Sequence, residues 1–437
     1  MIRRDFLKTS SIAAGSLFVP FSAWSNQKKI KLAVLGTGWW ATEILIPAAL
    51  RSGQFEIIGL CDVESNSLQN ASEVVVKAGN VKPKLFDTYQ EMFDMPGLEA
   101  VIISTPTHWH PLQFIYACRK GLHVYQEKPV SYDVREGQAM LKAKEEAKNV
   151  VQVSFPRVVF NTNDEVKKYL QSEEAGEIYQ VKANINWPEG PVSKYKVPET
   201  LNYEKFVGPA PETPFVAGEE GGRWNWRSQF NFSKGIMMDW GIHYIHNLRK
   251  ILDLGLPNSV SAIGGTIKNT SHGNPDYLDV KFDFDGLPVY WSHKTWGYKN
   301  PFPETDLGVF FYGDKATVFA GDQGWKVYSE DKSKQQTHGE IRFLWGQDDE
   351  FTSNYDTAFT GLFTNFAEGI RNRSNEHIIN TLEDSEKTTA CVLYGDMAYR
   401  SESNISIDTK SRDVIDNAKA AAYLQRTYRS PFKHPFT

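Results

Sequence analysis

Cysteine is scarce, with three residues in 437: Cys61, Cys118 and Cys391. The number is odd, the spacing is wide, and each lies in a segment that reads as strand or helix. They read as small buried hydrophobes, not as a disulfide framework or a metal cluster. Charge of one sign is also lacking. With 48 basic and 53 acidic residues and a net charge of −5, nothing points to nucleic acid or an anionic membrane surface, and a small molecule is the expected partner. There is no internal repeat and no low-complexity segment. The apolar run Ile12 to Phe21 is shorter than the ~20 residues a spanning helix needs. No cysteine follows it to carry a lipid, so no stable membrane anchor is expected.

That apolar run follows Arg3-Arg4-Asp5-Phe6-Leu7-Lys8 and precedes Ala23-Trp24-Ser25, a small-x-small cleavage pattern. Together these resemble a twin-arginine export signal over residues 1–25, removed after about Ser25. The resemblance implies a periplasmic or otherwise exported protein that folds in the reducing cytoplasm first, in keeping with free cysteines. The rest is long enough for two domains. Twelve Trp and 19 Tyr suit stacking on sugar faces, and equally core and interface packing.

Residues 31–35, Lys-Leu-Ala-Val-Leu, read as a strand buried on both faces, and Gly36-x-Gly38-x-x-Ala41 follows at once. In that spacing the first glycine makes a tight turn and the second admits a pyrophosphate. The small third residue lets helix and strand pack, with the phosphates on the helix N-terminus. Thr37, Trp39 and Trp40 complete the turn. A second strand, Phe55 to Cys61, ends at Asp62, placed to accept both ribose hydroxyls of NAD. Val63, Glu64 and Ser65 bring no arginine for a 2′-phosphate, so NAD is favoured over NADP.

Alternation of helix and strand continues to about residue 155, giving a doubly wound parallel α/β sheet over 29–155. Ser104-Thr105-Pro106-Thr107-His108-Trp109-His110 stands at the carboxyl end of one strand, and Glu127-Lys128-Pro129 at the end of the next. The chain here resembles the Gfo/Idh/MocA oxidoreductases, through Gly-Thr-Gly-Trp-Trp-Ala at 36–41, Ser-Thr-Pro-Thr-His-Trp-His at 104–110, and Gly-Leu-His-Val-Tyr-Gln-Glu-Lys-Pro at 121–129. The resemblance implies that Lys128 lies between nicotinamide ribose and substrate. Ser104, Thr105, Pro106, His108, His110 and Glu127 then join the cofactor site, the two histidines as structural or ribose-contacting groups. A partly desolvated lysine there would have a lowered pKa and could deprotonate a substrate hydroxyl.

Beyond Arg157, which opens the crossover, strand candidates fall at hairpin spacing, as in Tyr277 to Phe284 with Leu278, Val280, Phe282 and Phe284 on one face. The second domain, 156–437, is therefore read as α+β with a large open, mostly antiparallel sheet. The resemblance implies that its uncovered face joins copies into a dimer or tetramer. The stretch Pro188 to Lys234 reads as a wall over the active site, with Trp224 and Trp226 offered for sugar stacking. Gly235 to His246 reads as a helix start placing Asp239 and His243 on one face, four apart, so that the carboxylate can fix the imidazole tautomer. On residue types alone this pair could also be a core hydrogen bond or half of a metal site. The family pattern Asp-x-Gly-x-His, matched by Asp239, Gly241 and His243, implies residues facing Lys128. Where family members often carry a further aspartate, this chain has His246. Asp239, His243 and His246 could then bind a metal, but no metal is expected.

The reading is an exported NAD(P)-dependent oxidoreductase acting on a sugar, glycoside or cyclitol hydroxyl. NAD is expected to be tightly bound, Lys128, Asp239 and His243 to be catalytic, and Arg157, Trp224, Trp226 and His246 to contact substrate. Two alternatives stand beside it: a glycosidase, lyase or hydratase that oxidises its sugar transiently, and a non-catalytic cofactor-containing binding protein.

Overall fold

A computed structural model describes residues 28–159, 162–190, 192–218, 225–268, 272–297, 305–321, 324–338 and 349–436. Residues 1–25, read from the sequence as an expected export signal, and Trp224 lie outside these residues. The first sheet has six parallel strands: β1 Ile30–Leu35, β2 Phe55–Cys61, β3 Lys84–Phe86, β4 Ala100–Ile103, β5 His123–Gln126 and β6 Val151–Val153. Their order is β3-β2-β1-β4-β5-β6, so strand order reverses between β1 and β4, where open α/β sheets bind ligands. The apolar runs explain the centre: all four residues of β4 are buried, as is all of β1 except Lys31. Pairing Leu35 with Cys61 and Ile103, Ile103 with Gln126, and Gln126 with Val153 brings the strand ends level. Gly36, Asp62, Ser104, Glu127 and Ser154, each the residue after its strand, therefore share one edge.

The second sheet has ten strands. They are β7 Ile178–Asn186, β10 Ser259–Gly265, β11 Tyr277–Phe284, β12 Leu287–Lys294, β13 Leu307–Gly313, β14 Thr317–Gly321, β15 Gly324–Tyr328, β16 Gln336–His338, β17 Ile405–Ile407 and β18 Val414–Ile415. In chain order β8 Val192–Lys194 and β9 Val216–Gly218 form a separate ribbon. The order β16-β15-β14-β13-β7-β12-β11-β10-β17-β18 is antiparallel except for β7 beside β12. In β11 the alternation holds, with Leu278, Val280, Phe282 and Phe284 buried while Asp279 and Lys281 are exposed. Helices Ile242–Leu252 and Leu382–Ser401 share one core with those buried residues. On the strands, Tyr179 is 56% and Ile263 68% exposed.

The strands β8, β9, β16, β17 and β18 have no counterpart in the sequence reading, because two or three residues carry no readable period. The helix Asp349–Asn372 lies late in the chain yet packs on the first sheet. Phe363 stacks on Tyr125 with ring centroids 4.2 Å apart and meets Phe55 edge-on at 5.9 Å. Among the described residues no helix is long and apolar enough to cross a membrane.

The segment after Tyr423 reads as an extended tail from its prolines, but it is fastened down. Arg426 donates from Nε to Glu136 Oε1 at 2.7 Å and from Nη2 to the His108 carbonyl at 2.7 Å, and its backbone N–H reaches Asp133 Oδ2 at 3.0 Å. Tyr428 Oη donates to Glu136 Oε1 at 2.7 Å, and His434 Nε2 lies 3.0 Å from Asp133 Oδ2. Asp133 and Glu136 also form the capping box of helix Val134–Ala147, so one pair of acids both starts a helix and holds the strap. Asp133, Glu136 and His434 are the one metal-like grouping among the described residues, and the Arg426 guanidinium already supplies the cation there.

Candidate active site

Two cavities meet at the carboxyl edge of the first sheet. One, of about 440 Å³, is lined by Gly36, Gly38, Trp39, Asp62, Ser104, Thr105, Pro106, Tyr89 and Phe432, among others. Gly36 has φ +86°, and a Cβ there would stand 2.8 Å from the Ser104 carbonyl carbon and the Thr105 nitrogen, so only glycine lets the turn lie against that loop. A Cβ at Gly38 would meet nothing within 4 Å. That open space sits where the helix begins at Trp39, and free N–H groups at such a start suit phosphate.

Asp62 holds the turn. Its Oδ2 accepts from Thr37 N at 2.5 Å and Thr37 Oγ1 at 3.1 Å, and its Oδ1 from Glu64 N at 2.9 Å. Burial pushes its carboxyl up, while those donors pull it down. Thr37 fills both lone-pair positions of Oδ2, so it is Oδ1 that keeps acceptor capacity for a ribose hydroxyl. Lys205, the lysine on this wall, is bound to Asp87 Oδ2 at 2.7 Å. The residues therefore fit a dinucleotide, with phosphates at Gly36–Trp40 and ribose at Asp62.

The second cavity, of about 480 Å³, is lined by Glu127, Lys128, Arg157, Trp187, Glu189, Trp226, Arg227, Asp239, Trp240 and His243, among others. Trp39, Trp40, Ser104, Thr105, Trp226 and Arg227 line both. The two are therefore one continuous groove. Lys128 Nζ donates to the Asp239 carbonyl at 2.7 Å and to Asp239 Oδ1 at 2.9 Å, leaving one of its three N–H bonds for a ligand. Arg227 Nε approaches Asp239 Oδ1 at 3.3 Å. Burial alone would raise the Asp239 carboxyl, but the two cations hold it down to about 2. Gly241 is required by packing, since a Cβ would come 2.9 Å from the Trp291 ring.

The expected Asp239 to His243 hydrogen bond is not formed. Asp239 is drawn to Lys128 and Arg227, against which a neutral imidazole cannot compete, and His243 Nδ1 is buried without a partner. Burial, then Lys128 and Arg157, keep the His243 ring well below its ordinary pKa, so it is neutral at rest. Glu127 is buried and takes Trp40 Nε1 at 2.8 Å and the Lys128 backbone N–H at 3.0 Å.

His246 does not reach the groove. Its ring stacks on Phe155 at 3.9 Å, Nδ1 lies 2.9 Å from Thr388 Oγ1 and Nε2 3.2 Å from Asn380 Oδ1. With both nitrogens occupied it offers neither substrate nor metal a ligand. Thr37, Ala41, His108 and His110 also stay behind the walls. Thr37 braces Asp62 and Ala41 packs in the core. His108 Nε2 meets the Phe206 carbonyl at 2.8 Å, and the His110 nitrogens meet the Pro129 and Thr105 carbonyls, each at 2.7 Å. Trp226 and Arg157 do line the groove. Sequence reasoning missed Arg227, Glu189, Trp187, Trp240 and Phe432. The basic residue next to Trp226 in an aromatic run was the one available signal, for Arg227.

A dinucleotide cleft opening onto a charged, tryptophan-walled cavity defines the class as an oxidoreductase. Residues 30–155 match the oxidoreductase-family model with the NAD-binding Rossmann fold, and residues 164–319 match that of the GFO/IDH/MocA C-terminal domain. The chain belongs to the Gfo/Idh/MocA oxidoreductase family. It is 31% identical over 265 residues, 60% of this chain and 69% of the other, to an NADP+-dependent scyllo-inositol 2-dehydrogenase of Bacillus subtilis. It is 32% identical over 151 residues to a glycosyl hydrolase family 109 protein of Stenotrophomonas maltophilia, a match spanning only 33% of either chain. Among solved structures, the WlbA dehydrogenase of Bordetella pertussis with NADH and UDP-GlcNAcA is similar at a TM-score of 0.65 and 20% identity, over 87% of this chain and 99% of that one. Aldose-aldose oxidoreductase of Caulobacter crescentus gives 0.63 at 18% identity, over 87% and 100%. These two likenesses concern the fold.

Proposed function

We propose that this protein is an exported enzyme that keeps NAD tightly bound and oxidises a carbinol of a sugar or glycoside. The observation that carries the reading is the continuous groove, with Lys128 and His243 on the substrate side. Lys128 gives its remaining N–H bond to the carbinol oxygen, and His243, held neutral, takes the hydroxyl proton. Asp239 stays ionised and positions Lys128 and Arg227, a charge arrangement set before the substrate arrives. A nicotinamide held in the cleft would supply the acceptor for the carbinol hydride. NAD is preferred to NADP because Asp62 would repel a 2′-phosphate and Lys205 is already paired with Asp87.

Outside the cytoplasm little free NAD is available, so the cofactor is loaded before twin-arginine export and the full cycle is redox-neutral. Dimers or tetramers form through the ten-stranded sheet. A second reading, a glycosidase, lyase or hydratase using transient oxidation, is favoured by the glycosyl hydrolase match to part of the chain. One experiment tests the main reading: mature protein from periplasm, prepared without added cofactor, is denatured and its supernatant assayed for NAD(H). Stoichiometric NAD is expected, and an empty protein needing millimolar NAD would overturn it.

A further inference from the structure

The substrate cavity continues past the catalytic side chains. Trp187, Glu189, Trp240 and Arg157 line it; the Trp240 ring stands 6.5 Å from that of His243 and contacts Trp187, so from His243 the wall runs through Trp240 to the exposed Trp187 at its outer end. Trp187 follows β7 directly, and its backbone N–H donates to the Lys294 carbonyl at 3.1 Å; that of Glu189 donates to Thr295 at 2.9 Å. Both are thereby fixed to the end of β12. The Trp187 and Trp240 rings are stacked, 5.4 Å between centroids and 29° between planes. The inner ring braces the outer one, which stays 39% exposed.

Beside it stands a carboxyl with no fixed work. Of the three carboxyl groups on this cavity, Glu127 and Asp239 each accept hydrogen bonds from neighbouring donors. Glu189 accepts none from the described residues. Burial, then the Asp239 charge, push its carboxyl up to about 7, against the pull of Arg227. Near neutrality it can therefore both donate and accept. A flat apolar plane with a free donor and acceptor at its edge matches a pyranose ring, which presents a C–H face and a rim of hydroxyls.

We propose that the substrate is a two-ring saccharide whose inner ring offers its carbinol to Lys128 and His243, while the outer ring stacks on Trp187 and hydrogen-bonds Glu189. This rests on the oxidoreductase reading above. Trp187 and Glu189 then set specificity, and a single-ring sugar or cyclitol leaves the outer end filled with water.

The test uses the full NAD-loaded chain, with maltose, cellobiose and lactose against glucose, galactose and myo-inositol, the single-turnover reduction of the bound NAD being followed by nicotinamide absorbance. The best disaccharide should exceed the best single-ring compound at least ~10-fold in the second-order rate constant for reducing the bound NAD, and Trp187→Ala should cut that ratio at least ~5-fold. Glu189→Gln, which keeps a donor and an acceptor, should retain more of the ratio than Glu189→Ala. A ratio near one, or one indifferent to Trp187→Ala, overturns the proposal while the oxidoreductase reading stands. Should no sugar change the absorbance, that reading fails, and calorimetric binding decides the subsite separately. Disaccharide binding that Trp187→Ala weakens supports it, and no binding of any disaccharide overturns it.

Discussion

The cofactor cleft and the substrate cavity are adjoining halves of one groove, built on different principles. The cleft is made where level strand ends turn, and its special features are backbone: the Gly36 turn, the space above Gly38, and one acid bracing the turn. The cavity is made of long side chains from separate segments, with Lys128, Arg227 and Asp239 locked in one ionic cluster between tryptophans. A cleft of backbone tolerates change around it provided the chain path is kept. A cavity of mutually dependent side chains does not, so damage to either half should have its own signature.

The largest effect should come from the strap behind the cleft. Arg426→Ala leaves Glu136, which has no exposed surface, without its cation, and removing one partner of a buried pair costs ~3–5 kcal/mol. Urea unfolding should show that loss, and dialysis should show faster escape of NAD. If the variant keeps both its stability and its cofactor, the strap is not part of the cleft.

Next comes the cavity. Lys128→Ala and His243→Ala should each lower kcat at least ~100-fold while NAD still co-purifies, a signature opposite to that of the strap variant. Loss of NAD from either would erase the distinction between the halves.

Gradual where the others are abrupt is the response to acid. Burial lowers His246 to about 3 and His293 to about 4, from 6.5. The unfolded chain therefore binds more protons than the folded one from pH 6.5 down to those values, so stability rises with pH across that window. The loss on acidification should approach about 1.4 kcal/mol per pH unit for each group. Denaturation at fixed steps between pH 4.5 and 7 measures it, and a flat profile would contradict the burial of these rings.

The smallest effect is a gain. Glu189 is raised to about 7 from 4.5, so the folded state holds a proton the unfolded chain has released. Its cost to stability grows as pH rises from 4.5 and is complete above about 7. Glu189→Gln should then stabilise the protein by on the order of 1 kcal/mol at pH 8 and by less at pH 5. Equal shifts at both pH values would mean the carboxyl is ordinary.

The same contrast explains what could be read in advance. Gly36, Gly38, Asp62 and Lys128 are legible because strand, turn and acid follow at fixed spacing, so local chemistry and fold specify each other. The alternation of β11 is legible for the same reason. Arg227, Glu189 and Trp187 are not, because they meet Asp239 and Trp240 only through tertiary packing and sit in a stretch without period. The Asp239 and His243 spacing was visible, but it does not reveal that two cations compete for the carboxylate. His246, next along that helix, was taken for a site group when its ring is a core support between Phe155, Thr388 and Asn380.

The strap has a consequence in time. Arg426, Tyr428 and Phe432 follow every other described element in the chain, so they leave the ribosome after both sheets have been made. Until they do, the cleft lacks its Phe432 wall, and the 105–110 loop lacks the guanidinium on the His108 carbonyl. A nascent chain thus presents the dinucleotide with a cleft still missing one wall.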